Sequence, residues 1–263
     1  MTSSRADGPE ARRNQDTEAP SGSSVIRVLT LNAHQGFNAL RRRNLLTRIR
    51  DGLRAHGADL VFLQEVGGEG EPEGPAHHYE VLADQVWPQY AYGRNAVSSS
   101  GHQGNALLSK YPILSWENID ISAGRSERRG MLHCVVDVPE ARPLHAVCVH
   151  FGLREAHRRL QVERLLELIG CTIPEDAPLV IAGDFNDWRG RVHRRLKDDA
   201  SLEEIYACAN GHPARTFPAR RPLLRLDRIY VRNLHHRPLQ LPAHPWGMLS
   251  DHLPLAGEVQ ARN

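Results

Sequence analysis

The chain has 263 residues, 40% of them hydrophobic and 24% charged, which is enough for a sizeable buried core and ordinary for a water-soluble globular domain. Thirty-three basic against 31 acidic side chains leave a formal charge of +2, so the balance carries no strong nucleic-acid footprint. No apolar run approaches the roughly 20 residues a membrane-spanning helix needs, and four widely spaced cysteines (Cys134, Cys148, Cys171, Cys208) without a CxxC pair suggest buried free thiols rather than a zinc site or a disulfide framework.

Residues 1–24 are rich in Ser, Gly, Pro, Asp, Glu and Arg and contain no apolar stretch, so they read as a disordered tail rather than a secretory signal, and a cytoplasmic location is the default expectation. Residues 25–263 read as one domain. Val25 to Ala33 alternates and is rich in β-branched residues, predicting an opening strand. Leu45, Ile49 and Leu53 recur at helical spacing within Leu40 to Ala55, Gly57 is placed to stop that helix, and Asp59 to Val66 predicts a buried strand. Further strands are predicted at Asn105 to Leu108, Met131 to Val138 and Pro143 to His150, with turns at Tyr111-Pro112 and Pro139. Consecutive strands there argue for antiparallel pairing. Arg154 to Ile169 predicts a second amphipathic helix with Val162, Leu165, Leu166 and Ile169 on one face, followed by a buried strand at Pro178 to Gly183 and late strands at Leu224 to Val231 and His252 to Val259. No internal repeat is visible. The mixture predicts an α/β sandwich of packed sheets with helices outside, although a doubly wound parallel sheet also fits the ends of the chain.

The polar residues of interest fall at the ends of apolar strands, where a packed sheet holds side chains rigidly and loops form a rim. Asn32 ends the first strand, Glu65 the second and His150 a middle one; Asp184 and Asn186 follow Val180-Ile-Ala-Gly, and Asp251-His252 precede the last strand. Each alone has an ordinary explanation, Asn32 as a turn cap, Glu65 as a solvated strand end, Asp184 with Asn186 as turn composition. A turn explanation predicts no particular combination of carboxylate, amide and imidazole, so it fails for the set.

Taken in order, Leu31-Asn-Ala-His, Phe62-Leu-Gln-Glu65, Gly104-Asn-Ala-Leu-Leu-Ser, His150-Phe-Gly-Leu, Gly183-Asp-Phe-Asn186, Leu226-Asp-Arg-Ile-Tyr and Ser250-Asp-His252 resemble the endonuclease/exonuclease/phosphatase superfamily over about Val25 to Val259. Ala91-Tyr-Gly-Arg-Asn-Ala-Val, Ala214-Arg-Thr-Phe-Pro and Leu224 to Val231 are similar to its bacterial YbhP-like members. The resemblance implies a four-layer α-β-β-α sandwich, DNase I-like, and a phosphoesterase dependent on Mg²⁺ or Mn²⁺. It implies that Glu65 holds the ion with Asn32, that Asp251 is a further metal-side carboxylate, and that Asp184, assisted by Asn186, orients or deprotonates the attacking water. His252 is implied to bond the scissile phosphate, with Asp227 fixing its ring, and His150 to contact phosphate; a buried core histidine is the rival reading for His150. Many members have Asn-Ile-His or Asn-Trp-Asn where this chain has Asn32-Ala33-His34, which leaves the Asn32 assignment standing.

Five arginines, Arg215, Arg220, Arg221, Arg225 and Arg228, lie near Asp227, and guanidinium groups clamp phosphate oxygens in bidentate fashion. Arg215, Arg225 and Arg228 are candidates for substrate binding, while Arg220 and Arg221 read better as a solvated loop face; Arg128 and Arg129 share the ambiguity. Trp188 and Trp246 flank two of the motifs and either stack on substrate or pack. There is no HExxH, and the pairs His77-His78 and His235-His236 read as surface loops. The expected partner is a phosphate-ester substrate, phospholipid-like or another small ester ahead of nucleic acid, for a monomer with peripheral membrane contact left open. A DNA or RNA nuclease is the alternative, and a non-catalytic phosphate-site scaffold a third reading that the full set of polar residues disfavours.

Overall fold

The computed structural model describes residues 24–33, 39–68, 78–83, 86–98, 101–124 and 127–262; the expected tail up to residue 23, His34 of the first motif and His77 lie outside them. In chain order the elements are β1 (Ile26–Asn32), α1 (Ala39–His56), β2 (Leu60–Gly68), α2 (His78–Ala83), β3 (Gln89–Ser98), β4 (Gly101–Ser109), β5 (Ile113–Asp120), β6 (Gly130–Val136), β7 (Leu144–His150), α3 (Glu155–Cys171), β8 (Leu179–Asp184), α4 (Arg191–Ala200), β9 (Glu203–Glu204), α5 (Ile205–Asn210), β10 (Asp227–Arg232), β11 (Leu234–Leu239), a short helical turn α6 (Ala243–Trp246) and β12 (Leu255–Ala261). They form two six-stranded mixed sheets, ordered β11-β12-β1-β2-β4-β3 and β5-β6-β7-β8-β10-β9. The packed-sheet expectation holds, and the doubly wound alternative does not.

Each sheet is built around one parallel pair, β1 with β2 and β7 with β8, and each pair is joined by a helical crossover through α1 or α3. All other pairings between named strands are antiparallel; for the consecutive neighbours β3-β4, β5-β6, β6-β7 and β11-β12 the short connections require it. Strand alternation then sorts the apolar side chains into three layers. Ile26, Val28, Leu60 and Phe62 of the first sheet meet Ala146, Cys148, Val180, Ala182 and Ile229 of the second in a core between the sheets. Leu29, Leu31, Val61 and Leu63 face α1, whose Ile49 and Leu53 cover them, and Val147, Val149 and Ile181 face Val162, Leu165 and Ile169 of α3. This is the four-layer α-β-β-α sandwich.

Several local expectations hold for stated reasons. Gly57 ends α1 at φ +63°, its amide donating to the Arg54 carbonyl at 3.0 Å. Others need correction. The last two strands begin later than their sequence patterns suggest: Leu224 bridges Phe217 outside the sheet, and the Leu253 amide is taken by the Thr216 carbonyl, so regular pairing starts at Asp227 and Leu255. His235 and His236 are not in a loop but on β11, opposite Gln260 and Val259, where Pro238 had disguised an edge strand. Only Cys134 and Cys148 are buried; Cys171 and Cys208 sit at the exposed ends of α3 and α5.

Candidate active site

The same alternation that builds the inter-sheet core also aims the polar residues. Ile26, Val28, Thr30 and Asn32 share one face of β1; Ala146, Cys148 and His150 one face of β7; Val180, Ala182 and Asp184 one face of β8. In β10, Asp227 precedes Ile229 and Val231 on the inner face and lies directly opposite Asp184. Asn32, His150 and Asp184 thus occupy the final inner position of their strands, at the carboxyl ends of the two parallel pairs, and Asp227 the first inner position of the antiparallel β10 beside them. Asn32, Asp184 and Asp227 are 1–2% exposed and His150 is 6% exposed, so the site is a lined mouth of the core rather than a surface patch.

Glu65 reaches this mouth only through an irregularity. Simple alternation would put it beside Val61 and Leu63 under α1, but the β2–β4 register shifts between Leu63 and Val66 and Glu65 adopts φ +57°. The bulge gives Val66 the helix-facing position and turns the carboxylate inward, where it accepts from Asn32 Nδ2 at 3.2 Å and from Gln103 Nε2 at 3.3 Å. A non-glycine residue held at positive φ is strained and persists where surrounding structure over-determines it. Asn186 is a second case, at φ +48°; its amide donates to Asp184 Oδ1 at 2.9 Å and its Nδ2 to the Phe151 carbonyl at 2.9 Å.

Asn32 Nδ2 also donates to Asp184 Oδ2 at 3.2 Å, linking the two sheets. His150 Nε2 stands 3.6 Å from Asp184 and 3.8 Å from Glu65. On the opposite side His252 Nδ1 is 2.8 Å from Asp227 Oδ2, and its Nε2 faces Asp184 at 3.9 Å. Ser250 clamps this histidine: its hydroxyl donates to the Asn32 carbonyl at 2.6 Å and accepts the His252 amide at 3.1 Å. Thr216 steadies the partner, its hydroxyl accepting the Asp227 amide at 3.3 Å, and the Phe217 ring lies 4.9 Å from that of His252.

The electrostatics follow from crowding charge in a dry mouth. Burial, then the neighbouring Asp227 carboxylate, holds Asp184 well above the usual carboxylate range, at about 7. Burial opposes protonation of His252, but the charge and hydrogen bond of Asp227, with Asp184 and Asp251 behind them, outweigh it and raise that imidazole to about 10. His150 goes the other way, pushed down to about 3 by burial and then by Arg129, so it is a neutral imidazole. One ligand atom from each of Asp184, Asp227 and His252 lies within 4.8 Å of the others, a grouping able to hold a cation.

Of the sequence candidates, Asn32, Glu65, His150, Asp184, Asn186, Asp227 and His252 come together here. Asp251 is half-buried beside them, its Oδ1 3.4 Å from the Ser250 hydroxyl. Trp188 is exposed just past Asn186, its ring 4.5 Å from the Arg158 guanidinium. Arg215 is exposed one residue before Thr216, and Arg225 is half-buried with Nε on the Pro213 carbonyl at 2.9 Å. Arg228 is no substrate ligand: one residue past Asp227, it points to the opposite face of β10, fully buried, with Nη1 on Asp187 Oδ2 at 2.9 Å and Nη2 on the Asp187 carbonyl at 2.7 Å. That pair props up the Asp184 to Asn186 turn. Trp246 is likewise a packing residue, 1% exposed against Gly52 of α1. Sequence reasoning missed Gln103, Thr216 and the clamp role of Ser250; the Ser-x-His spacing of a side-chain-to-backbone turn was the available signal for the last.

With this geometry established, the comparisons with known proteins are specific. The sequence model of the Endonuclease/Exonuclease/phosphatase family matches residues 29–252. The uncharacterized protein YbhP of Escherichia coli strain K12 is 49% identical over 244 residues, spanning 89% of this chain and 96% of that protein. The human Nocturnin catalytic domain with bound sulfate anion superposes with a TM-score of 0.72 at 19% identity, covering 94% of this chain and all of that one. D. rerio TDP2 complexed with single strand DNA product gives 0.66 at 19% identity, covering 91% of this chain and all of that one. At such identities the two structures speak for the fold.

Proposed function

Because the chain belongs to the Endonuclease/Exonuclease/phosphatase family, whose members are generally metal-dependent hydrolases of phosphoester bonds, we propose that it is a Mg²⁺- or Mn²⁺-dependent phosphoesterase that splits a phosphodiester or phosphomonoester by in-line attack of water. The observation that carries this reading is the meeting of Asn32, Glu65, His150, Asp184, Asp227 and His252 at one buried mouth, each delivered by a different strand end or loop.

The donor chemistry fits a hard divalent cation. Two carboxylates are buried together, Asp227 Oδ1 has no hydrogen-bond partner, and the burial and neighbouring negative charge that lift Asp184 are what a nearby cation would offset. We assign the ion to Glu65, Asn32 and Asp251. The facing atoms of Asp227 and His252 are already engaged with each other and Asp184 Oδ1 with Asn186, whereas Glu65 is more open to solvent than Asp184 or Asp227, as suits an ion that keeps several waters. Bound there, the ion supplies neutralisation of charge on the non-bridging oxygens and the leaving group.

The remaining chemistry belongs to the chain. Asp184, fixed by Asn186 and Asn32, orients and deprotonates the attacking water, a task suited to a carboxyl poised near neutrality. His252 donates from Nε2 to the scissile phosphate while Asp227 holds Nδ1, and the charge on this imidazole stabilises the developing negative charge. His150, neutral, adds a hydrogen bond to phosphate; Arg215, Arg225 and Trp188 contact substrate at the rim. The near-neutral charge balance favours a phospholipid-like or other small phosphoester. The alternative is a DNA or RNA nuclease, with the likeness to TDP2, crystallised with a single strand DNA product, as its support.

The test is product release from bis-p-nitrophenyl phosphate, single- and double-stranded DNA, RNA, phospholipids and inositol phosphates, with Mg²⁺ or Mn²⁺ against EDTA. Metal-dependent turnover lost in both Asp184→Ala and His252→Ala is the expected result. Well-folded, metal-binding protein inert toward every substrate would overturn it in favour of the scaffold.

A further inference from the structure

Among the described residues ten large apolar side chains stand exposed, and five of them belong to the loops that carry the site. Leu153 comes three residues after His150, and Trp188 two after Asn186. Leu223 and Leu224 lie between Phe217, whose ring touches His252, and Asp227; Met248 comes two residues before Ser250. Isolated exposed apolar residues are normal, but here each of four loops that adjoin one mouth exposes at least one, a concentration of the kind that marks an interaction surface.

These side chains are held outward by ordered backbone. Arg158 Nη1 binds the Leu153 carbonyl at 2.6 Å while its guanidinium lies under Trp188, so one buried arginine braces both loops. The Leu223 and Leu224 amides both donate to the Phe217 carbonyl at 2.8 Å, and the Met248 amide to the Pro245 carbonyl at 2.9 Å. Exposed arginines alternate with them: Arg154 beside Leu153, Arg189 beside Trp188, Arg220 and Arg221 before Leu223. Arg189 is drawn to Glu155 at 3.4 Å; the balance of the rim is still basic.

We infer that this rim seats the protein on an anionic phospholipid bilayer, apolar tips in the headgroup layer and arginines on lipid phosphates, so that the headgroup phosphoester of a lipid enters the mouth between the sheets. The inference rests on the phosphoesterase reading above and names its substrate class. Charge complementarity selects an anionic surface, and side-chain type selects lipid over nucleic acid: four of the five tips are aliphatic, with no π-face for a base, and only Trp188 offers one.

The test uses the full chain in EDTA, so that no turnover occurs, and measures co-sedimentation with vesicles of phosphatidylcholine alone or with about 30 mol % phosphatidylglycerol. Wild-type protein is expected in the pellet with the anionic vesicles and to be released as salt rises. The triple variant Leu153→Asn/Leu223→Asn/Met248→Asn is expected to lose about tenfold in partitioning. Arg220→Glu/Arg221→Glu is expected to lose binding to the anionic vesicles selectively. Both variants should hydrolyse bis-p-nitrophenyl phosphate with Mn²⁺ as the wild type does, because that soluble ester needs the mouth and not the rim. Wild type left in the supernatant with anionic vesicles overturns the inference, as does a triple variant that sediments like wild type. It is equally overturned if the triple substitution abolishes binding of a labelled single-stranded DNA oligonucleotide but leaves vesicle binding intact. Failure of the phosphoesterase reading registers separately, as absent turnover of the soluble ester.

Discussion

The two parallel units, β1-α1-β2 and β7-α3-β8, are the same construction used for opposite ends. Each sits at the third and fourth positions of its sheet, each is flanked by antiparallel strands, and each delivers two polar residues at its carboxyl end, Asn32 with Glu65 and His150 with Asp184. The second unit delivers them in regular register, His150 directly opposite Asp184, deep in the mouth. The first delivers Glu65 from a bulge, strained and half-open to water. Dry, regular geometry shifts proton affinities; a wetter, bulged geometry suits an ion that keeps its waters. In the function proposed above, one unit therefore handles protons and the other handles metal.

The sharpest way to break that comparison is to remove Asp184 from the second unit, or His252, which the segment before β12 brings to 3.9 Å from it. Asp184→Ala and His252→Ala are each expected to lower turnover of the preferred substrate about 10³-fold at saturating metal. A loss of less than about tenfold in either would mean that the division of labour is wrong. On the other side, Glu65→Gln is expected to raise the Mn²⁺ concentration for half-maximal rate by at least about tenfold, with a smaller loss once metal saturates. Metal titrations of the rate check this, and an unchanged midpoint with a collapsed rate would place Glu65 with the proton handlers instead.

A smaller effect concerns stability without metal. The folded protein holds the Asp184 proton up to about pH 7, whereas an unfolded aspartate releases it near 4. A folded-state value raised in this way contributes stability that is fully present below about pH 4 and lost as pH rises through 7. Asp184→Asn, which stays neutral, is therefore expected to melt above wild type by roughly 3 °C at pH 8 in EDTA, with the gain shrinking toward pH 5. Thermal melts at the two pH values decide it; a gain equal at both would exclude the buried charge as its cause.

The smallest effect provides a control far from the mouth. His133 on β6 and His145 at the opposite end of β7 stack with 2.9 Å between ring nitrogens, and burial, then the neighbouring His145, pushes His133 down to about 4. A depressed histidine contributes stability present above its unfolded value near 6.5 and lost as pH falls through 4. Wild type should accordingly lose stability over that window, and His133→Leu should flatten the loss while turnover at pH 7.5 stays unchanged. Urea melts between pH 7 and pH 4 measure it.

Much of the site was legible because period-two patterning reports which side chains share a face. The runs ending in Asn32, His150 and Asp184 each alternate inner apolar residues up to a polar terminus, and those positions converge as their faces predict. Position next to an apolar strand, with the Gly183-Asp-Phe-Asn186 and Ser250-Asp-His252 motifs, also picked out Asn186 and His252. What period alone cannot place are residues whose direction depends on an irregularity or a partner. Glu65 needed the bulge, while Arg228 looked like a phosphate ligand until its neighbour Asp227 claimed the inner face and left it to Asp187. His235 and His236 looked like loop because an edge strand next to Pro238 lacks the apolar run of a central one.

The amino-acid order by itself determined the two crossover helices and the set of polar strand ends, because these depend on local periodicity; periodicity left packed sheets and a doubly wound sheet both open, and the motifs read in order implied the α-β-β-α class through the resemblance they carry. Only the tertiary structure decided that the two crossover units face each other across one core, that a bulge re-aims Glu65, that His252 is charged and His150 neutral, and that five apolar tips stand on four separate loops adjoining one mouth. Each of these depends on groups distant in sequence brought within a few ångströms, where burial and neighbouring charge, rather than residue type, set direction and proton affinity.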